Sequence, residues 1–184
     1  LIRLGGFDAE LIDSIMEPIG GMKEPFHYRN KAQYPIGSDK EGNLIAGFYA
    51  GRTHQIIPNL DCVIGSEVNM PILKKVLEFM KRNGLQAYEE QSGRGLVRHV
   101  LIRRGFRTGE IMVCLVLNGT KLPSAEDLVR SLREIEGMTS ITVSVNREKT
   151  NVIMGSEIHL LWGQDYITDY IGNVKYQISP LSFY

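Results

Sequence analysis

The sequence predicts an α+β fold, an antiparallel β-sheet with two main helices packed on one face. Three observations carry this. Short apolar segments of strand length come in pairs joined by glycine-containing turns, and hairpins of this kind impose antiparallel pairing. Two other segments repeat their apolar residues at helical spacing. The 184 residues, 43% of them hydrophobic, suffice for one domain with a sizeable core.

Each element follows in order. Residues 1–21 close on Pro18-Ile-Gly-Gly21 and read as a short helix or linker, so residues 1–27 are set apart from a main domain over 28–184. From Tyr28 to Tyr34 the chain alternates, with Tyr28, Asn30, Ala32 and Tyr34 on one face and Arg29, Lys31 and Gln33 on the other. Residues 37–42 carry turn chemistry, and 43–50 form the returning strand. A second tight turn, Gly51-Arg-Thr-His54, leads into a short strand ending at Pro58. The first helix has Ser66 or Asn69 as its cap, Pro71 in its first turn, Ile72, Leu73, Val76, Leu77 and Met80 on one face, and Gly84 as its stop. Residues 96–103 and 110–117 form another hairpin, whose second strand is apolar on both faces and therefore central. Ser124-Ala-Glu-Asp127 reads as a capping-box variant opening a helix with Leu128, Val129, Leu132 and Ile135 inward, closed by Gly137. Strands follow at 141–145, 157–162 and 174–178.

Charge and composition exclude several functions. Lys+Arg and Asp+Glu are 21 each, so any nucleic-acid partner must be met by a local patch, not by a global basic field. The longest apolar run, residues 111–117, is far short of the roughly 18 needed to span a bilayer. No membrane partner is expected, and with no signal peptide at its start and only two cysteines, the chain fits a reducing, cytoplasmic location. It opens on Leu1 and stops inside the apolar stretch Pro180-Leu-Ser-Phe-Tyr184, which predicts a piece excised from a longer protein.

Catalytic motifs are missing. No glycine-rich turn links a strand to a helix as a methyl-donor or dinucleotide site requires, and there is no P-loop and no G-x-S-x-G elbow. Cys114, within an apolar strand, reads as core, and Trp162 likewise. His27 and His159 read as structural, Glu89 and Glu90 as solvated, and no catalytic residue is assigned. Basic side chains are more informative. Arg29, Lys31 and Gln33 make a row of donors, with Arg52 and His54 on the neighbouring turn, Arg98 and His99 on the later hairpin, and aromatic residues between them. A solvated sheet face accounts for this pattern; so does a surface that grips phosphates and stacks unpaired bases.

An ordered set of segments goes further. Leu1-Ile-Arg-Leu-Gly-Gly6, Tyr28-Arg-Asn-Lys-Ala-Gln33, Gly47-Phe-Tyr-Ala-Gly-Arg-Thr-His54, Ile57-Pro-Asn-Leu-Asp-Cys62, Val97-Arg-His-Val100, Lys149-Thr-Asn-Val-Ile-Met-Gly155 and Ile178-Ser-Pro-Leu-Ser-Phe183 follow one another along nearly the whole chain. In this order and spacing they resemble the S-adenosylmethionine-dependent RNA uracil-C5 methyltransferases, especially those acting on 23S ribosomal RNA. The resemblance implies that the chain is the central domain of such an enzyme, between an N-terminal RNA-binding barrel and a C-terminal catalytic domain. It implies a ribosomal RNA substrate, S-adenosylmethionine bound outside this chain, and a parent in which a Cys thiolate adds to uracil C6 before methylation at C5. Alone, this chain is then expected to be inactive.

By the same resemblance Cys62 matches the fourth ligand of a [4Fe–4S] cluster whose first three cysteines lie upstream of the Leu-Gly-Gly segment. One thiolate cannot hold a cluster that needs four, so none is expected in this chain alone. Arg29, Lys31, Gln33, Arg52, His54, Arg98 and His99 become RNA-facing residues, and Phe183 matches an aromatic residue near the flipped base. A transfer-RNA-directed relative and a non-catalytic interaction module stand as alternatives.

Overall fold

The computed structural model describes residues 2–182. Two short helices, α1 (Ile2–Gly5) and α2 (Ala9–Ile15), come first. Asp8 caps α2, its carboxylate accepting the backbone N–H groups of Glu10 and Leu11 at 2.9 and 3.1 Å. The main body is a seven-stranded sheet in the order β3-β2-β1-β4-β5-β6-β7. Its strands are β1 (Lys31–Ser38), β2 (Leu44–Tyr49), β3 (Ile56–Pro58), β4 (Val97–Arg104), β5 (Ile111–Leu117), β6 (Met138–Val145) and β7 (Glu157–Gly163). Helices α3 (Asn69–Arg82) and α4 (Ala125–Leu132) pack on one face, as α+β requires.

The pairing departs from a purely antiparallel sheet at one place. β5 and β6 are parallel, because α4 lies between them and carries the chain back to the end where β5 began. A further strand, β8 (Ile167–Ile171), pairs with β9 (Val174–Ile178) in a separate hairpin. β8 lies outside the strands expected from sequence: only its Ile167, Thr168 and Asp169 are buried, so the segment has no sustained alternation to read.

Both helix caps differ from expectation. Val68 occupies the α3 cap position without a side-chain bond. Asn69 instead donates to the Tyr34 hydroxyl at 3.2 Å, and the Ser66 hydroxyl accepts from Arg104 at 3.2 Å. Ser124 sits at φ 54°, where its hydroxyl makes no cap bond, so the capping box does not form. Tertiary partners and backbone shape override the local motif in each case.

One sheet face is a continuous apolar core. Ala32, Tyr34 and Ile36 of β1, with Val100, Ile102, Val113, Leu115, Ile141 and Val143 of the central strands, meet Ile72, Leu73, Val76, Phe79 and Met80 of α3 and Leu128 and Leu132 of α4. The opposite face is more polar. Register lines up Lys31 with Arg103, Gln33 with Leu101, Leu101 with Cys114, and Cys114 with Thr142. The β8–β9 hairpin closes one end of this face, with Ile167 and Ile178 packed on Met112.

Candidate nucleic-acid interface

β1 changes partner along its length. Residues 31–35 pair with β4, and residues 36–38 pair with β2. Pro35, with no N–H to give, stands at the changeover. Residues 31–34 border a cavity of about 320 Å³, lined by Arg29, Lys31, Gln33, Tyr34, Phe48 and Cys62 among others. Arg29 is anchored by its backbone N–H to the Ile64 carbonyl at 2.9 Å, leaving its side chain exposed. Burial, and then the Arg103 guanidinium facing it across the strands, lower the Lys31 pKa. Tyr34 and Phe48 form the aromatic wall, ring centroids 5.1 Å apart and tilted by 44°. Gly65 closes the floor: a Cβ there would lie 3.0 Å from Asn69 Nδ2 and 3.4 Å from the Tyr34 hydroxyl. Among the described residues no acidic side chain lines this cavity.

A second, open groove of about 1610 Å³ gathers His54, Arg98 and His99 with Tyr49, Tyr88 and Glu90. Its chemistry is different. His54 Nδ1 lies 2.5 Å from Glu90 Oε2, and its ring is 5.4 Å from that of Tyr49. Glu90 is exposed, as expected, and also pairs with His54. Arg98 is 5% exposed; its Nη1 donates to the carbonyls of Asn146 and Glu148 at 2.9 and 2.8 Å, and its guanidinium lies 4.4 Å from the Tyr88 ring centroid. His99 is 7% exposed. Burial, followed by the Arg98 charge, pushes its pKa down to about 4, so it is neutral at pH 7. Arg98 and His99 thus build the wall that carries the groove, and Glu89 and Glu90 line that groove with negative charge.

Arg52 occupies an exposed turn at φ 63°, where the Thr53 N–H donates to the Ala50 carbonyl at 3.1 Å. Phe183 lies outside the described residues. The carbonyl of Ser182, one residue earlier, accepts a hydrogen bond from the Arg103 Nη2. Arg103 is not among the site residues expected from the sequence. The antiparallel register of β1 against β4 brings it directly opposite Lys31.

Cys62 is half-buried at the cavity, while Cys114 is fully buried with its thiol pushed up to about 11 by burial. Among the described residues no three His, Cys, Asp or Glu side chains are grouped to hold a metal. A four-ligand iron–sulfur cluster therefore does not fit the described residues by themselves. No described helix is long and apolar enough to cross a membrane.

The comparisons with known proteins agree with the sequence. No family model matches the chain. It is 45% identical over its full length to an uncharacterized RNA methyltransferase from Clostridium tetani, of which it covers 39%. It has the same identity and coverage against a counterpart from Halalkalibacterium halodurans. The chain thus spans about two fifths of the length of these relatives. In structure it resembles the Pyrococcus abyssi tRNA (uracil-54, C5)-methyltransferase solved with S-adenosyl-L-homocysteine, at a TM-score of 0.73 and 25% identity, covering 88% of this chain and 38% of that one. The family resemblance carried by the sequence segments is borne out: this chain is similar, along its whole length, to one segment of RNA methyltransferases, with a uracil-C5 methyltransferase among its structural relatives.

Proposed function

We propose that this chain is the central, substrate-recognition domain of an S-adenosylmethionine-dependent RNA uracil-C5 methyltransferase acting on 23S ribosomal RNA. The observation that carries this is the cavity beside β1, where Arg29, Lys31 and Gln33 stand next to the Tyr34–Phe48 wall with, among the described residues, no acidic side chain in the lining. Cations and amide donors suit phosphate oxygens and base edges, and the half-buried Phe48, backed by the buried Tyr34, suits the ring of an unpaired base. Arg52 extends the basic surface on the adjacent turn. His54, Arg98 and His99 support that surface from the groove side. The methyl donor and the catalytic thiolate belong to the remaining domains of the parent enzyme, which are also this chain's protein partners. Cys62 contributes one thiolate to an iron–sulfur cluster completed by cysteines from outside the chain. The setting is the cytoplasm.

Arg29→Ala combined with Lys31→Ala in the parent enzyme tests the reading. RNA affinity is expected to fall at least tenfold with the thermal midpoint unchanged; unchanged affinity would remove the basic row from the site. A transfer-RNA substrate is the second reading, favoured by the tRNA specificity of the Pyrococcus abyssi relative. Mapping of 5-methyluridine in ribosomal and transfer RNA from a deletion strain separates the two. Loss of a ribosomal mark supports the first, and loss confined to transfer RNA supports the second.

A further inference from the structure

Two parts of the chain that sequence analysis treats as separate RNA contacts lie about 150 residues apart: the basic strand at Arg29–Gln33 and the tail that follows β9. In the fold they meet at Arg103. This side chain is 2% exposed, and its Nε has no hydrogen-bond partner among the described residues. Its Nη2 donates to the carbonyl of Ser182, and on its other side Lys31 faces it in register across β1 and β4. Burying a guanidinium is costly, and burial lowers the Arg103 pKa. It is a sensible arrangement if the segment held by that bond must be placed accurately.

The tail reaches Arg103 on a fixed path. Asp169 accepts the N–H groups of Phe106 and Arg107 at 2.9 Å each, and Glu110 accepts the N–H of Thr168 at 2.7 Å, so the β8–β9 hairpin is fastened to the β4–β5 turn. Beyond β9, the Ser179 N–H donates to the Ser182 hydroxyl at 2.9 Å, and the Ser182 N–H donates to the Ser179 carbonyl at 3.1 Å. That turn presents the Ser182 carbonyl to the guanidinium.

We propose that Arg103 is a positioning residue, which latches the tail at Ser182 beside Lys31 and so joins the tail and the basic strand into one continuous surface that binds single-stranded RNA. The proposal rests on the RNA reading of β1 given above. It assigns Arg103 no contact with RNA. Its work is on the backbone of residues 179–182.

Hydrogen exchange on the whole 184-residue chain tests it, with a fluorescein-labelled twelve-residue oligouridylate as the probe. In the unmodified chain the oligonucleotide should slow exchange in peptides from both residues 31–38 and residues 179–182. Arg103→Gln should speed exchange of the tail peptide at least tenfold without RNA. It should also abolish RNA protection of the tail while protection of residues 31–38 persists. Arg103→Met, which keeps the apolar stem, is the second variant and should behave as Arg103→Gln does. Arg103→Lys keeps the charge but has one donor head in place of the planar fork, and should restore tail protection only in part. Tail exchange unchanged in both neutral variants would overturn the latch, even with RNA bound normally. RNA protecting neither peptide of the unmodified chain would overturn the RNA reading of β1 and the proposal with it, while the exchange measured without RNA would still show whether Arg103 holds the tail.

Discussion

His99 and the two cysteines show how far burial alone sets chemistry at the scale of single residues. His99 has an ordinary imidazole value of 6.5 and a folded-state value of about 4. Between those pH values the unfolded chain binds a proton that the folded chain refuses. Its contribution to stability is therefore complete above pH 6.5 and is lost as pH falls towards 4. The gap corresponds to on the order of 3 kcal/mol. Urea unfolding followed from pH 7 to pH 4 should show that decline, and His99→Gln should flatten it; an unchanged slope would mean that another group dominates. The cysteines differ in the same way. Cys114 is inaccessible, with its thiol pushed up to about 11, whereas Cys62 opens on the cavity. Iodoacetamide at pH 8 should modify Cys62 in the native chain and reach Cys114 only on unfolding, which peptide mass spectrometry reads directly. The burial of Cys114 was legible in its apolar run. The companionship of Cys62 with Arg29 and Tyr34 was not, because it depends on a contact between segments about 30 residues apart.

At the scale of elements, side chains that sequence motifs assign to helix ends are used to tie elements together. Asn69 is the instructive case: instead of capping α3, it is 3% exposed and joins that helix to β1 through the Tyr34 hydroxyl. Asn69→Ala leaves a buried hydroxyl without that partner and should cost about 1–3 kcal/mol in urea unfolding. A cost near zero would show that water or a rotated Tyr34 replaces the bond. The helical periodicities of α3 and α4 and most strand pairs were readable because each has a regular apolar repeat. The parallel β5–β6 pair was not, since it depends on how far α4 carries the chain. Likewise, β8 owes its place to Asp169, whose partners Phe106 and Arg107 lie in the β4–β5 turn about 60 residues earlier, and to Glu110 of that turn, which accepts the N–H of Thr168. Asp169→Ala removes the acceptor of two backbone N–H groups, so hydrogen exchange in β8 and β9 should accelerate before any in the seven-stranded sheet. Simultaneous loosening of both sheets would mean that they unfold as one unit.

Across the whole molecule, a formal net charge of zero coexists with a cavity edge that carries two cations and, among the described residues, no acid in its lining. Composition averages over this separation, and only the fold reveals it: Glu89 and Glu90 line the groove with His54 and are not among the residues lining the cavity beside Lys31 and Gln33. The strand alternation put Arg29, Lys31 and Gln33 on a common face. Sequence alone did not tell the exposed Arg52 from Arg98, which the fold spends on the carbonyls of Asn146 and Glu148. This distinction makes a quantitative prediction for binding to single-stranded RNA. Each phosphate neutralised contributes about −0.7 to the slope of log affinity against log salt concentration. Contacts from Arg29, Lys31 and Arg52 would give a slope of about −2 in all. Titration of labelled oligouridylate between roughly 50 and 200 mM salt checks this. Arg29→Ala and Arg52→Ala should each make the slope shallower by about 0.7. Arg98→Lys should leave it where it was, because its charge faces inward in either form. A steeper slope, or one that Arg98→Lys alters, would place the RNA on the groove and not along the β1 edge.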